Sequence, residues 1–296
     1  MIDLVGLREK SRRLRLYGIP LAKVMSQGKF RRQFKMRGLN FDSIRDYLPG
    51  DDIRYIDWNA TARFGKPYVK QFVDDGNVPL MLVVDDSASV SCSPNALAQV
   101  LECALLLLYA AMHQEIPAGC CIFGHKGDGS AQSAENLSYI PPRSGKRHYQ
   151  RIEHALLNIE EEGTSVSNLR EALVFVGKHL HPGALVFAVS DFCLADYSES
   201  ALSLARAHTV SGCRVYHDFF GSRPARVAIQ AEDAESGQKY LVFPAMRYFR
   251  DALRTRDNEI DSEWYRSFPP GRALEFRDNP DVFSALFGFL RNQSKR

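Results

Sequence analysis

Residues 79–90 read PLMLVVDDSASV, and the fold turns on how this stretch is understood. Five apolar side chains, Leu80 to Val84, run into two carboxylates and two hydroxyls within five positions, Asp85 to Ser89. A short apolar run ending in polar residues is the signature of a strand buried on both faces. The polar tail is open to three readings: a metal site, a covalent-catalysis site, or a polar turn capping the next helix.

Working outward, similar apolar runs recur at 118–123 (AGCCIF), 185–190 (LVFAVS) and 213–220 (CRVYHDFF). Between them lie stretches of helical period, about 95–114, 147–160, 167–180 and 198–209. Strands interleaved with helices predict an α/β fold, a mostly parallel sheet with helices on both faces. Further on, 226–243 reads as a β-hairpin turning at EDAESGQ. A charged helix over about 246–264, a strand at 273–276 and an amphipathic helix over about 280–290 complete the chain. Residues 38–78 break the rhythm. They are dense in Gly, Pro, Asp and aromatics, and read as a loop-and-hairpin appendage with Trp58 in its core. In PGDDIRYIDWNATAR, Asp51, Asp52, Arg54, Asp57 and Arg63 form either a functional surface or a structural clasp.

Composition narrows the class. At 45% apolar and 25% charged, the chain is ordinary for a globular protein, and a net charge of +3 does not call for nucleic acid. Residues 1–37 are different: eleven Lys or Arg face only Asp3 and Glu9. This basic N-terminal arm is read as a solvated face that pairs with acidic surface elsewhere, with an anionic membrane as the alternative contact. Charges stand where the apolar core of a signal peptide would be. The apolar run CALLLLYAAM (103–112) is shorter than the about 20 residues that span a bilayer and reads as a buried helix. Six cysteines without C-x-x-C spacing read as reduced thiols. The expected location is the cytoplasm, with peripheral contact at the inner membrane as a further option.

In a parallel sheet, ligands collect outside the carboxyl ends of the strands, where the strand order reverses. DDSAS leaves such an end. Asp85, Ser87 and Ser89 alternate, so an extended loop projects them to one side. Thr164, in EEGTS, and Asp191, in AVSDF, are two further oxygen ligands expected on the same edge. An all-oxygen set suits a hard cation such as Mg²⁺. The nucleophile reading of Ser87 fails on context: there is no G-x-S-x-G elbow and no His placed as its base. His148, His154, His179 and His181 read as surface or cap residues. GHKGDGS lacks the order of a phosphate-binding loop.

The pattern Asp85-x-Ser87-x-Ser89, with Thr164 and Asp191, resembles the metal-ion-dependent adhesion site of von Willebrand factor A domains. FDSIRDYLPGDDIRYIDWNATARFGKPYVKQF, SYIPPRSGKRHYQRI and AEDAESG resemble the MoxR-associated von Willebrand factor A-like family of bacteria, a domain of unknown function. The resemblance implies a von Willebrand factor A-like domain over 79–296, following the arm (1–37) and the appendage (38–78). It implies a non-enzymatic site. Ser87, Ser89 and Thr164 would bind Mg²⁺ or Mn²⁺ directly, Asp85 and Asp191 would act through water, and an acidic residue of a client protein would complete the shell. It also implies a MoxR-type AAA+ ATPase as working partner in the maturation or assembly of a client complex. Three departures stand out: Asp86 fills a position where small or uncharged residues are common, Asn40 replaces an acid, and VKQFVDDGN replaces an acidic run. A metal-assisted hydrolase and a membrane-surface protein using residues 1–37 are the competing readings.

Overall fold

The computed structural model describes residues 4–26, 40–46, 56–73, 78–124, 137–159, 168–194, 196–216, 228–232, 238–277 and 281–295. Its centre is a six-stranded sheet of β3 (Leu80–Asp85), β4 (Ala118–Phe123), β5 (Leu137–Arg143), β6 (Leu185–Ser190), β7 (Thr209–Val215) and β10 (Ala273–Phe276). The spatial order is β10-β7-β6-β3-β4-β5, parallel throughout except for β5, which runs antiparallel to β4. Outside this sheet, β1 (Asn40–Asp46) pairs antiparallel with β2 (Tyr68–Val73), and β8 (Ile229–Glu232) with β9 (Lys239–Val242). The hairpin expected over 226–243 is therefore present, and the alternating piece YVKQF is a strand. The mostly parallel sheet with helices on both faces is the architecture of a von Willebrand factor A-like α/β fold.

Alternation along the strands divides the core in two. Leu80, Leu82 and Val84 of β3 belong to one apolar cluster with Cys120 and Ile122 of β4 and Phe187 and Val189 of β6. That face is covered by α1 (Leu4–Met25), α4 (Pro94–His113), α5 (Lys146–Leu157) and α9 (Val282–Lys295). Met81 and Val83 join Cys121, Phe123, Val186 and Ala188 on the other. There the cover is α6 (Leu169–His179), α7 (Ser198–Ala207) and α8 (Arg247–Ser267). Two short helices, α2 (Trp58–Phe64) and α3 (Ala88–Ser91), lie outside these layers. α4 is long and apolar enough to cross a membrane by composition, but most of it is buried against α1, α5, α9 and the sheet.

Over residues 4–25 the basic arm is a docked helix. Leu14, Gly18, Leu21, Ala22 and Met25 recur at helical spacing, and the four apolar side chains are buried. Gly18 permits the close approach: a Cβ there would lie 2.7 Å from Tyr109 Cβ. The charges pair as expected. Lys10 reaches Glu102 at 2.6 Å, and Arg15 grips both oxygens of Glu153 at 2.8 and 2.6 Å. Tyr109, buried in α4, donates to the same Glu153 at 2.7 Å.

Three readings need correction. Trp58 is not core; it is 70% exposed. Asp57 fixes the start of α2 by accepting from the Asn59 and Ala60 amides, at 3.0 and 3.1 Å, and Ala60 takes the buried position. Trp58 is left at the first helical position, facing solvent. Within the suggested clasp, Asp57 is thus a helix cap, while Asp51, Asp52 and Arg54 lie outside the described residues. Second, β5 was not expected, because Pro141 and Pro142 argue against a strand; at a sheet edge their missing N–H groups cost nothing. Third, β7 begins at Thr209, four residues earlier than expected. Ser211-Gly212 resembles a turn but sits mid-strand, because α8 packs so closely that a Cβ at 212 would lie 2.6 Å from the Trp264 ring. Residues 217–220 of the expected strand lie outside the described residues.

That last contact is testable. Gly212→Ala should lower stability by about 1–3 kcal/mol, as overpacking does when the neighbours are stiff aromatic rings. Denaturant titration measures it, and an unchanged midpoint would mean α8 can slide.

Candidate functional site

The strand order creates the site. From β3 the chain steps to β4 on one side, and later returns to place β6 on the other, so the order reverses between β3 and β6. The carboxyl ends of these two neighbours carry Asp85 and the Ser190-Asp191 pair. Both are held by the sheet itself. Val84 is in register with Val189, which leaves Asp85 opposite Ser190.

Asp85, Asp86, Ser87 and Asp191 are buried, and Ser89 is half-buried. After β3 the chain turns sharply. The Ser87 amide donates to Asp85 Oδ1 at 2.8 Å, and the Asp86 amide donates to the Phe123 carbonyl at 2.8 Å. Ser87 is the N-cap residue of α3, yet its side chain makes no cap bond. Instead Ser87 Oγ lies 3.0 Å from Ser89 Oγ. The polar-turn reading is therefore right about the backbone and wrong about the hydroxyls, which face each other. On the neighbouring strand, the Ser190 hydroxyl donates to Asp85 Oδ2 at 2.5 Å and accepts from the Phe192 amide at 3.0 Å. Asp191 Oδ1 accepts from the Cys193 amide at 3.2 Å, whereas its Oδ2 is buried with no hydrogen-bond partner among the described residues.

So Asp85, Ser87, Ser89 and Asp191 converge on one edge. Thr164 lies outside the described residues. Three contributors were missed. Ser190 bridges Asp85 to the β6 loop; its position beside Asp191 in AVSDF was the available signal. Gly124 has φ +85°, and a Cβ there would lie 2.6 Å from the Ser87 amide nitrogen, so only glycine lets the end of β4 close over the turn. Phe192 adopts φ +53°, a left-handed conformation that costs a bulky residue on the order of 1–3 kcal/mol. Its ring is fixed in a cluster of aromatics, 4.7 Å from Trp264, 5.3 Å from Tyr197 and 5.4 Å from Phe268 between centroids. That packing offsets the strain and aims Asp191 at the site.

Electrostatics make the edge cation-seeking. Burial first, and then the neighbouring charge of Asp191, raise the Asp85 carboxyl to about 7 against the lowering effect of the Ser190 and Ser87 hydrogen bonds. A buried unpartnered oxygen on Asp191, two hydroxyls in contact and a carboxyl that resists ionisation fit a hard divalent cation. Among the described residues no group of three or more His, Cys, Asp and Glu gathers as a metal cluster, so the donor set here is one of hydroxyls with flanking carboxylates. Soft or imidazole-preferring metals have no set to match.

The raised Asp85 value has a signed consequence. The unfolded chain loses this proton near pH 4 and the folded chain only near pH 7, so the folded state binds more protons between them and stability falls as pH rises through that window. In cation-free buffer, Asp85→Asn should stabilise the protein at pH 8 by on the order of 2–4 kcal/mol, with little benefit at pH 4. Urea titrations of both proteins at the two pH values check this; equal gains at both would assign the effect to packing.

Residues 43–262 match the family described as "Protein of unknown function DUF58". Uncharacterized proteins of Mycobacterium tuberculosis and Mycobacterium bovis are 26% identical over 212 residues, 69% of this chain. The match spans 63% of those relatives' length. Among solved structures, BatB from Bacteroides thetaiotaomicron superposes with a TM-score of 0.43 at 15% identity, over 74% of this chain and 100% of that one. An aerotolerance-related membrane protein from Bacteroides fragilis gives 0.41 at 13%, with the same coverage. Likeness at this level says nothing about activity or partners. The family match covers most of the chain, from β1 to the C-terminal part of α8 and with it Asp85, Ser87, Ser89 and Asp191: this protein belongs to the DUF58 family.

Proposed function

We propose that this protein is a non-enzymatic adaptor that binds protein through a divalent cation, working with a MoxR-type AAA+ ATPase in the maturation or assembly of a client complex. The observation that carries the reading is the meeting of Asp85, Ser87, Ser89 and Asp191 at the switch point of the sheet. Ser87 and Ser89 would hold Mg²⁺ or Mn²⁺ through their hydroxyls, joined by Thr164, with Asp85 and Asp191 acting through water. When bound, the ion offers a Lewis-acidic position to a carboxylate of the client.

The chain's own residues supply the rest. Ser190 and the Ser87 amide hold Asp85 in place, and the Cys193 amide holds one oxygen of Asp191. Gly124 lets the end of β4 lie close against the Asp86–Ser87 backbone. Asp86, buried beside them, adds negative charge that attracts a cation and is screened once it arrives. The ATPase partner follows from the family resemblance.

Pull-down with a MoxR-type ATPase, with and without Mg²⁺ and with Asp85→Ala beside the wild type, tests the proposal. Capture is expected only for the wild type in Mg²⁺, falling at least about tenfold in the other arms, equivalent to 1.4 kcal/mol. Equal capture in all four would remove cation dependence.

A further inference from the structure

Beside the cation-seeking edge lies a cavity of about 230 Å³ that the adhesion reading leaves unused. It opens between the loop after β6, the end of β7 and α8. Asp191 and Cys193 line one side, Arg214 and Tyr216 another, and Arg256 and Asp257 of α8 the third. Asp191 is thus shared between the cavity and the adhesion edge.

Arg214 is the informative residue. It is 4% exposed, an unusual place for a guanidinium. Its Nη1 donates to Asp261 Oδ1 at 2.5 Å, and its guanidinium carbon lies 5.7 and 5.9 Å from the ring centroids of Tyr216 and Trp264. Its Nε is buried with no acceptor among the described residues. A buried N–H without an acceptor is costly, and a guanidinium fork matches a carboxylate. The charges around it decide when an anion can enter. Arg214 and Arg256 face the cavity together with Asp191 and Asp257, and Asp261 already takes one arm of Arg214. Two guanidiniums here face three carboxylates, so an incoming anion meets net repulsion. Removing the charge of Asp191 brings the balance to even, and a divalent cation beside it turns the balance positive.

We infer that this cavity is an anion subsite that receives a second carboxylate of the protein partner, next to the one expected at the cation. The inference deepens the proposed function and rests on it. The partner is specified more narrowly: an acidic segment whose two side-chain carboxylates reach the cation and Arg214 at once. Two linked anchors raise affinity through effective concentration, so such a segment outcompetes a single acid.

The test reads the Arg214 Nε–H signal of the full chain by ¹⁵N NMR, assigned from its contacts with the Trp264 ring and its loss in Arg214→Lys. Acetate and glutarate serve as one- and two-carboxylate probes. In wild type with Mg²⁺, glutarate should shift this signal at roughly tenfold lower concentration than acetate, and Arg256→Gln should weaken the response. Asp191→Asn removes the neighbouring charge without metal, so acetate alone should shift the signal in Mg²⁺-free buffer. An Arg214 signal that moves in neither protein overturns the subsite. A response in Asp191→Asn together with no Mg²⁺ effect on wild type keeps the subsite and removes the cation-dependent function.

Discussion

Two carboxyl groups brought together out of water, Asp85 and Asp191, are the constraint around which this edge of the protein is built. Burial and the neighbouring charge of Asp191 oppose the ionisation of Asp85, and a chain seeking stability alone would not place the two at the ends of adjacent strands. The surrounding structure holds them there. The sheet fixes their separation through the β3–β6 register, Ser190 ties one loop to the other carboxylate, and Gly124 lets the end of β4 close against the turn. The conflict is local, and under the proposed function an ion of opposite charge would resolve it.

The second support is aromatic. α8 lies against β7 because Gly212 has no side chain to hold it off, and this places Trp264 and Phe268 under the β6 loop. Phe192 packs into them in a left-handed conformation. The same Trp264 ring stacks near Arg214, so the helix that orders Asp191 also positions the guanidinium beside it. The cavity and the edge that carries Asp85 and Asp191 are therefore two products of one packing arrangement. The opposite face plays a different part. α1 seals the buried α4 with Leu14, Leu21 and Met25, and spends Lys10 and Arg15 on ion pairs with Glu102 and Glu153. Ion pairs this exposed contribute little to stability, so the apolar stripe is what docks the helix.

Legibility followed burial. β3, β4 and β6 stood out in the sequence because central strands covered on both faces must be apolar along their whole length. β5 hid behind Pro141 and Pro142, whose acceptance depends on lying at an edge. Gly212 gave no local sign of belonging to β7, because its reason is a ring from a helix more than fifty residues away. Trp58 read as core because it is large and apolar, but a cap one residue earlier decided where it points. α1 read as an arm because basic residues crowd its first half, although the stripe at 14, 21, 22 and 25 was present.

The site divides in the same way. Asp85, Ser87, Ser89 and Asp191 were readable as oxygen donors, since alternation after a buried strand and a carboxylate at a strand end are local patterns. Their chemistry, hard and without imidazole or thiolate, was likewise written in residue types. Only the tertiary structure decided that β6 lies beside β3, that Asp191 keeps a buried oxygen without a partner among the described residues, and that Arg214 stands in the adjoining wall. Those facts depend on strand order and helix packing, which arise from contacts between residues far apart in the chain, and no local pattern encodes them.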